Sequence, residues 1–171
     1  MAGIPFHVLV SQADETLQPG TSPERAVLEL SRRKAQAVAQ LPESADRVIL
    51  AADTVVSLQG KIYGKPSTES DAARMLHALS GRIHQVFTGV SIYRPQGGPI
   101  SFFEQTNVEF YSLTEQEIFN YVATGEPMDK AGGYGIQGRG ALLVKAIEGD
   151  FYNVMGLPIA RVARALQKVL D

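Results

Sequence analysis

Two acidic positions and two glycine-flanked lysines hold the side chains best suited to chemistry in this sequence. The acids are Asp14-Glu15 and Asp53, the latter followed by Thr54. Two carboxylates from separate loops make a minimal hard-cation site, because Mg²⁺ is commonly held by one or two carboxylates with phosphates and water completing its octahedron. Gly64-Lys65-Pro66 and Asp129-Lys130-Ala131-Gly132 suit a polyphosphate. An ammonium is a compact point charge, and glycine lets backbone N–H groups approach oxygen. Gln137, with glycine on both sides, carries the donor and the acceptor needed to read a base edge. Each group also has a plainer reading. Asp14-Glu15 fits a solvated loop, Lys65 a surface lysine, Arg32-Arg33 a solvated helix face, and the glycine-rich stretch a long turn. His7, His77 and His84 lack metal-ligand spacing and read as ordinary. No Gly-x-Ser-x-Gly, P-loop or dinucleotide fingerprint is present.

The elements that must position these groups centre on Val48-Ile49-Leu50-Ala51-Ala52-Asp53-Thr54-Val55-Val56. Its apolar start has no helical period and predicts a strand buried on both faces, with Asp53 at its end. Burying a bare carboxylate costs several kcal/mol unless it is paired, hydrogen-bonded or bound to a cation. Asp53 therefore has a task, or it is tied off by neighbouring backbone N–H groups.

Ile4–Val10 is β-branched and aromatic and predicts a first strand. Ser22-Pro23-Glu24 has the cap, the first-turn proline and the acid of a helix start, and that helix runs to about Gln40. Gln59-Gly60 predicts a tight hairpin, and Ser67 or Thr68 caps a second helix, with Asp71 in capping-box position. His84–Tyr93 and Ile100–Tyr111 are two long strands joined through Pro95–Pro99. Thr114-Glu115-Gln116-Glu117 opens a short third helix, closed by Gly125. Glu126–Gly140 is irregular, Ala141–Ile147 is a last strand, and the segment from Phe151 leads into a C-terminal helix. Interspersed strands and helices with one long antiparallel hairpin predict an α/β protein with a mixed sheet.

With 171 residues and 44% hydrophobic content, the chain is most economically one globular domain spanning residues 1–171. A formal net charge of −2 leaves no general basic field for nucleic acid. The absence of cysteine excludes disulfides, thiolate zinc sites and cysteine nucleophiles. No signal-peptide pattern and no run of transmembrane length occurs, so the expectation is a cytoplasmic protein without membrane partners.

Taken together, five ordered stretches resemble the Maf family of nucleoside-triphosphate pyrophosphatases. They are Ala52-Asp53-Thr54-Val55-Val56, Gly64-Lys65-Pro66, Leu79–Val90, Thr124–Gly132 continuing through Tyr134-Gly135-Ile136-Gln137-Gly138, and Val154-Met155-Gly156-Leu157-Pro158. The resemblance implies a central mixed sheet flanked by helices and a nucleotide cleft, as in the inosine-triphosphate pyrophosphatases. It implies hydrolysis of a nucleoside triphosphate to the monophosphate and pyrophosphate with a divalent cation, Mg²⁺ or Mn²⁺, as a house-cleaning activity on the nucleotide pool. By the same resemblance Asp53 is the general base, while Glu15, Lys34 and Lys65 serve the metal and phosphates. Asp-Thr and Ile-Gln-Gly are similar to the dTTP/UTP subfamily, in which the residues matching Thr54 and Gln137 bear on base choice. With the residue-level reading, the site is then Asp53 and Glu15 for the metal, Lys34, Lys65 and Lys130 for phosphates, and Thr54 and Gln137 for a pyrimidine. A homodimer is left open.

Family members open with a strand and a loop reading roughly Leu-Ala-Ser-x-Ser-Pro-Arg-Arg, which this sequence does not contain. The expectation drawn from that departure is a marginally stable or aggregation-prone chain that hydrolyses triphosphates poorly. The rival readings are a catalytically impaired nucleotide-binding or regulatory protein, and a fold acting through protein contacts alone.

Overall fold

The computed structural model describes residues 3–94 and 99–170; most of the expected 95–99 turn therefore lies outside the described residues. Helix α1 (Pro23–Ala39) is followed by strands β1 (Ile49–Leu58) and β2 (Lys61–Tyr63) and helix α2 (Glu69–Leu79). The long hairpin β3 (Ile83–Tyr93) and β4 (Ile100–Phe110) comes next, then helix α3 (Glu115–Val122). Three short 3₁₀ turns precede β5 (Val144–Glu148), and the chain closes with α4 (Phe151–Val154) and α5 (Ile159–Leu170).

The caps behave as their chemistry requires. Thr114 and Glu117 form a reciprocal capping box. At α2 only half of that arrangement forms: the Thr68 hydroxyl accepts from the Asp71 N–H, but the Asp71 carboxylate turns to the Ser67 N–H. Gln59 and Gly60 both have positive φ, 52° and 80°, as a two-residue hairpin between right-twisted strands demands.

The sheet order is β2-β1-β3-β4-β5, and every pairing is antiparallel. The expected mixed sheet is not found among the described residues. β2 and β3 run in the same direction but flank β1, so the crossover through α2 sets no two parallel strands side by side. Ile4–Val10 is likewise not a strand. It pairs with no described neighbour, and Phe6, Val8 and Val10 are 80%, 78% and 83% exposed. β-propensity describes a fit to a half-buried pleated surface and yields no ladder without a partner. The last strand begins at Val144 rather than Ala141, because Gly138–Leu143 winds into a 3₁₀ turn first.

Helix α1 covers one face of the sheet. Val27 packs on Val55 and Phe87, and the Ser31 and Ser91 hydroxyls are hydrogen-bonded at 2.9 Å. The opposite face packs Val56, Val86, Val108 and Phe110 against Leu76 and Leu79 of α2 and Ile118 and Tyr121 of α3. Farther along that face, Val90 and Ile92 meet Val162 of α5. β1 pairs with β3 over Ile49–Ser57 but with β2 only from Val56 onward. Its other edge from Ile49 to Val55 has no strand beside it among the described residues. Residues 49–54 are consequently half-buried rather than buried on both faces, and this open edge is where the site lies.

Candidate active site

Asp53 sits in the middle of β1, opposite Gly89, rather than in a loop at the strand's end. The β-branched residues Thr54, Val55 and Val56 continue the strand past it. Alternation points Asp53 to the α1 face and Thr54 to the other. Along α1, Val27, Ser31 and Lys34 recur at helical spacing on the side facing the sheet, which carries the Lys34 ammonium to Asp53. Lys34 Nζ donates to Asp53 Oδ1 at 2.5 Å and lies 3.0 Å from Glu15 Oε1. Burial pushes the Asp53 carboxyl above its ordinary 3.8, more than the adjacent Lys34 pulls it down. Burial also works against the charge on Lys34, but hydrogen bonds to Asp53 and Glu15 outweigh it and hold that ammonium above 10.5.

Glu15 reaches this point because the segment before α1 is pinned to the helix. Arg33 donates to the Asp14 carbonyl at 3.0 Å and the Thr16 carbonyl at 2.8 Å, and is ion-paired with Glu29. The expectation of a merely solvated Arg32-Arg33 face is therefore corrected. Arg33 is half-buried and holds the acidic loop, while Arg32 donates to the Ser101 hydroxyl. An arginine fork satisfying two carbonyls and a carboxylate can order a segment that has no secondary structure of its own.

A cleft of about 480 Å³ wraps the open edge of β1. Lys34 and Asp53 line it on one side; Thr54, Val56, Val86, Tyr134, Met155 and Gly156 line it on the other. Lys65, Lys130 and Gln137 also line it, and Gly132 N–H donates to the Gly64 carbonyl at 2.9 Å, tying the two lysine loops together. Lys130 is ion-paired with Asp129 and, with a smaller contribution from Lys65, holds that carboxyl below its ordinary 3.8, while Lys65 opposes without overcoming the burial that raises Asp53. Glu126 accepts from the Arg139 N–H, and the Tyr121 hydroxyl from the Gly135 N–H, so two buttresses fix the loop that presents Gln137.

The seven residues singled out from sequence thus divide clearly. Asp53, Thr54, Lys34, Lys65, Lys130 and Gln137 all line one cleft, and Glu15 reaches its edge through Lys34. Sequence reasoning missed Arg33, Tyr121, Glu126 and Tyr134. The last three lie within or beside the irregular glycine-rich stretch, and a structureless run of that length in a compact domain is itself a functional signal.

His84, read from sequence as ordinary, is a fully buried core residue whose Nε2 lies 2.7 Å from the Tyr134 hydroxyl. Burial pushes its pKa from 6.5 to about 4. The unfolded chain therefore takes up a proton that the folded protein refuses, so this group's contribution is intact above pH 6.5 and is lost as pH falls toward 4. The loss amounts to about 3 kcal/mol at 1.36 kcal/mol per pH unit. His84→Gln, which cannot titrate, is expected to flatten the fall in denaturant-measured stability across that window. An unchanged slope would contradict the assignment.

Fold and site together define an α/β protein whose cleft joins a carboxylate–ammonium face to an apolar, hydroxyl-bearing face across one open strand. The Maf-like protein family matches residues 1–169, and the chain belongs to that family. It is 53% identical over 170 residues to a dTTP/UTP pyrophosphatase of Geobacillus sp. (strain WCH70), covering 99% of this chain and 89% of the relative. Proteins of the same description from Bacillus cereus (strain AH820) and Bacillus anthracis (strain CDC 684 / NRRL 3495) are 47% and 46% identical over 168 residues. Each of those two alignments covers 98% of this chain and 86% of the relative. Among the described residues no helix is long and apolar enough to cross a membrane.

Proposed function

We propose that this protein is a nucleoside-triphosphate pyrophosphatase that hydrolyses dTTP and UTP to the monophosphate and pyrophosphate, removing unwanted nucleotides from the pool. The reading extends to one catalytic unit on an inosine-triphosphate-pyrophosphatase-like scaffold. The observation that carries it is the division of the cleft by β1, supported by the description shared by the relatives. A nucleotide needs a cationic place for phosphates and an apolar place with a few polar groups for its base, and 480 Å³ is ample.

In this reading Asp53 takes a proton from a water molecule as the water oxygen bonds to the α-phosphorus. The bond from that phosphorus to its bridging oxygen breaks, and pyrophosphate leaves. Raising the Asp53 carboxyl through burial makes it a better base. Lys34, Lys65 and Lys130 neutralise phosphate oxygens as point charges. Thr54 and Gln137 contact the base.

The donor set fits a divalent cation. Glu15 and Asp53 converge on one positive charge already, that of Lys34, and both present hard oxygen. No group of three or more His, Asp or Glu suited to a metal occurs among the described residues, so substrate oxygens and water would complete the shell. Bound there, Mg²⁺ or Mn²⁺ would offset charge developing on the phosphate bridge.

Selectivity supplies the test. A site that hydrogen-bonds a base edge rejects analogues that leave its polar groups unpaired. Gln137→Ala is expected to compress the preference for pyrimidine over purine triphosphates, read as the ratio of kcat/KM values. Equal turnover of all triphosphates by the wild type contradicts the reading.

A further inference from the structure

Glu15 sits on a stretch that has no helix or strand of its own, residues 3–22 before α1. Its side chain is 61% exposed, against 10% for Asp53. Packing therefore does little to place this carboxylate, and its position follows from where the backbone is held. Among the described residues, three polar contacts tie residues 3–21 to the rest of the chain. Two of them come from one atom. Arg33 Nη1 donates to the carbonyls of Asp14 and Thr16, the residues on either side of Glu15. The third contact is the Lys34–Glu15 ion pair.

The bend between those two carbonyls is closed from within as well. Asp14 Oδ1 accepts from the Thr16 N–H at 2.9 Å, so Asp14 uses its carboxylate to turn the chain and Glu15 stands in the middle of the turn. The other arm of the Arg33 fork is ion-paired with Glu29 one turn earlier on α1, which fixes the guanidinium. Lys34 is the next residue of the helix, turned about 100° from Arg33. One helix thus grips the main chain around Glu15 with Arg33 and meets its carboxylate with Lys34.

We infer that Arg33 is a positioning residue for the metal: by holding the backbone on both sides of Glu15, it sets how tightly the divalent cation binds. This rests on the metal reading above and deepens it. A carboxylate already held in place gives its attraction to the cation in full, whereas one on a free segment loses part of it to ordering the chain. The sign of the effect separates this role from simple electrostatics. Arg33 is itself a cation and repels a metal nearby, so removing it would tighten binding if charge alone counted. Removing a clasp loosens binding instead.

The test is Mn²⁺ binding to the whole protein, read from the electron paramagnetic resonance signal of free Mn²⁺. Arg33→Ala is expected to weaken binding by about ten- to a hundredfold, the range for groups that orient metal ligands. Arg33→Lys keeps the charge but not the rigid fork, and should weaken binding too. Glu15→Gln should also bind more weakly. Adding Arg33→Ala to it should cost less than about twofold more, because the clasp then holds nothing that binds the metal. The Mg²⁺ concentration that half-activates pyrophosphate release from dTTP should rise in the same variants. Unchanged or tighter Mn²⁺ binding in Arg33→Ala overturns the inference. So does an equal loss in both backgrounds, which would mark a general structural role. If Glu15→Gln binds Mn²⁺ as tightly as the wild type, the metal reading of Glu15 falls and the inference with it. The expected pattern of Mn²⁺ affinities without turnover of dTTP or UTP would leave the inference standing and remove the catalytic reading alone.

Discussion

Asp53→Asn is expected to lose two or more orders of magnitude in kcat on dTTP, the scale typical of removing a general base. Asparagine keeps the shape of the side chain and can still accept from Lys34, but it cannot take up the proton of the attacking water. The expected melting temperature at neutral pH is no lower than that of the wild type. Burial raises the Asp53 pKa above 3.8, so the folded protein binds this proton more tightly than the unfolded chain does. The group thus favours folding below pH 3.8 and loses that contribution as pH rises through its raised value. A neutral amide removes the cost. Activity and stability should therefore part company in this variant, measured by pyrophosphate release and a thermal melt on the same sample. The wild-type rate should also fall on acidification at a pH above the ordinary aspartate value. A substantially retained rate in Asp53→Asn would mean that the base lies elsewhere.

Gly89→Ala has the second large expected effect, at a distance from the chemistry. A Cβ on Gly89 would lie 2.2 Å from the Val27 carbonyl oxygen and 2.4 Å from its carbon, both backbone atoms of α1. No side-chain rotation relieves that overlap, so the helix must move off the sheet. Overpacking of this kind costs about 1–3 kcal/mol and occasionally more, and about 3 kcal/mol corresponds to roughly 6–12 °C in Tm for a domain of this size. The same displacement carries Lys34 away from Asp53, because Gly89 is the direct ladder partner of Asp53. The variant is expected to melt lower and to turn over more slowly even well below its melting temperature. A wild-type rate in a destabilised variant would show that the Lys34–Asp53 contact does not matter to the reaction.

Most of what positions the site was legible in the sequence because it is local. The Gln59-Gly60 hairpin, the Thr114 capping box and the long β3–β4 alternation each rest on a few adjacent residues. Lys65, Lys130 and Gln137 line the cleft for a related reason, since lysines and a glutamine placed among glycines have few structural uses, whereas Lys34 in mid-helix was reached only through the family resemblance. What was not legible depends on pairing across distance. Whether Ile4–Val10 is a strand depends on a neighbour, not on its own β-branched residues. The place of Asp53 within β1 depends on Lys34 waiting on α1, which converts a strand-ending acid into a tolerated interior one. The antiparallel order follows from where α2 returns the chain, which no periodicity records. Arg33 was hidden inside an apparently solvated basic cluster, since only the fold brings the Asp14 and Thr16 carbonyls to it.

The most direct test of the account is the identity of the products when the wild-type protein is incubated with dTTP and Mg²⁺ in ¹⁸O-labelled water. The account predicts dTMP and pyrophosphate in equal amounts, with the heavy oxygen in dTMP, because water bonds to the α-phosphorus. Formation of dTDP and orthophosphate, or label in the pyrophosphate, would contradict it.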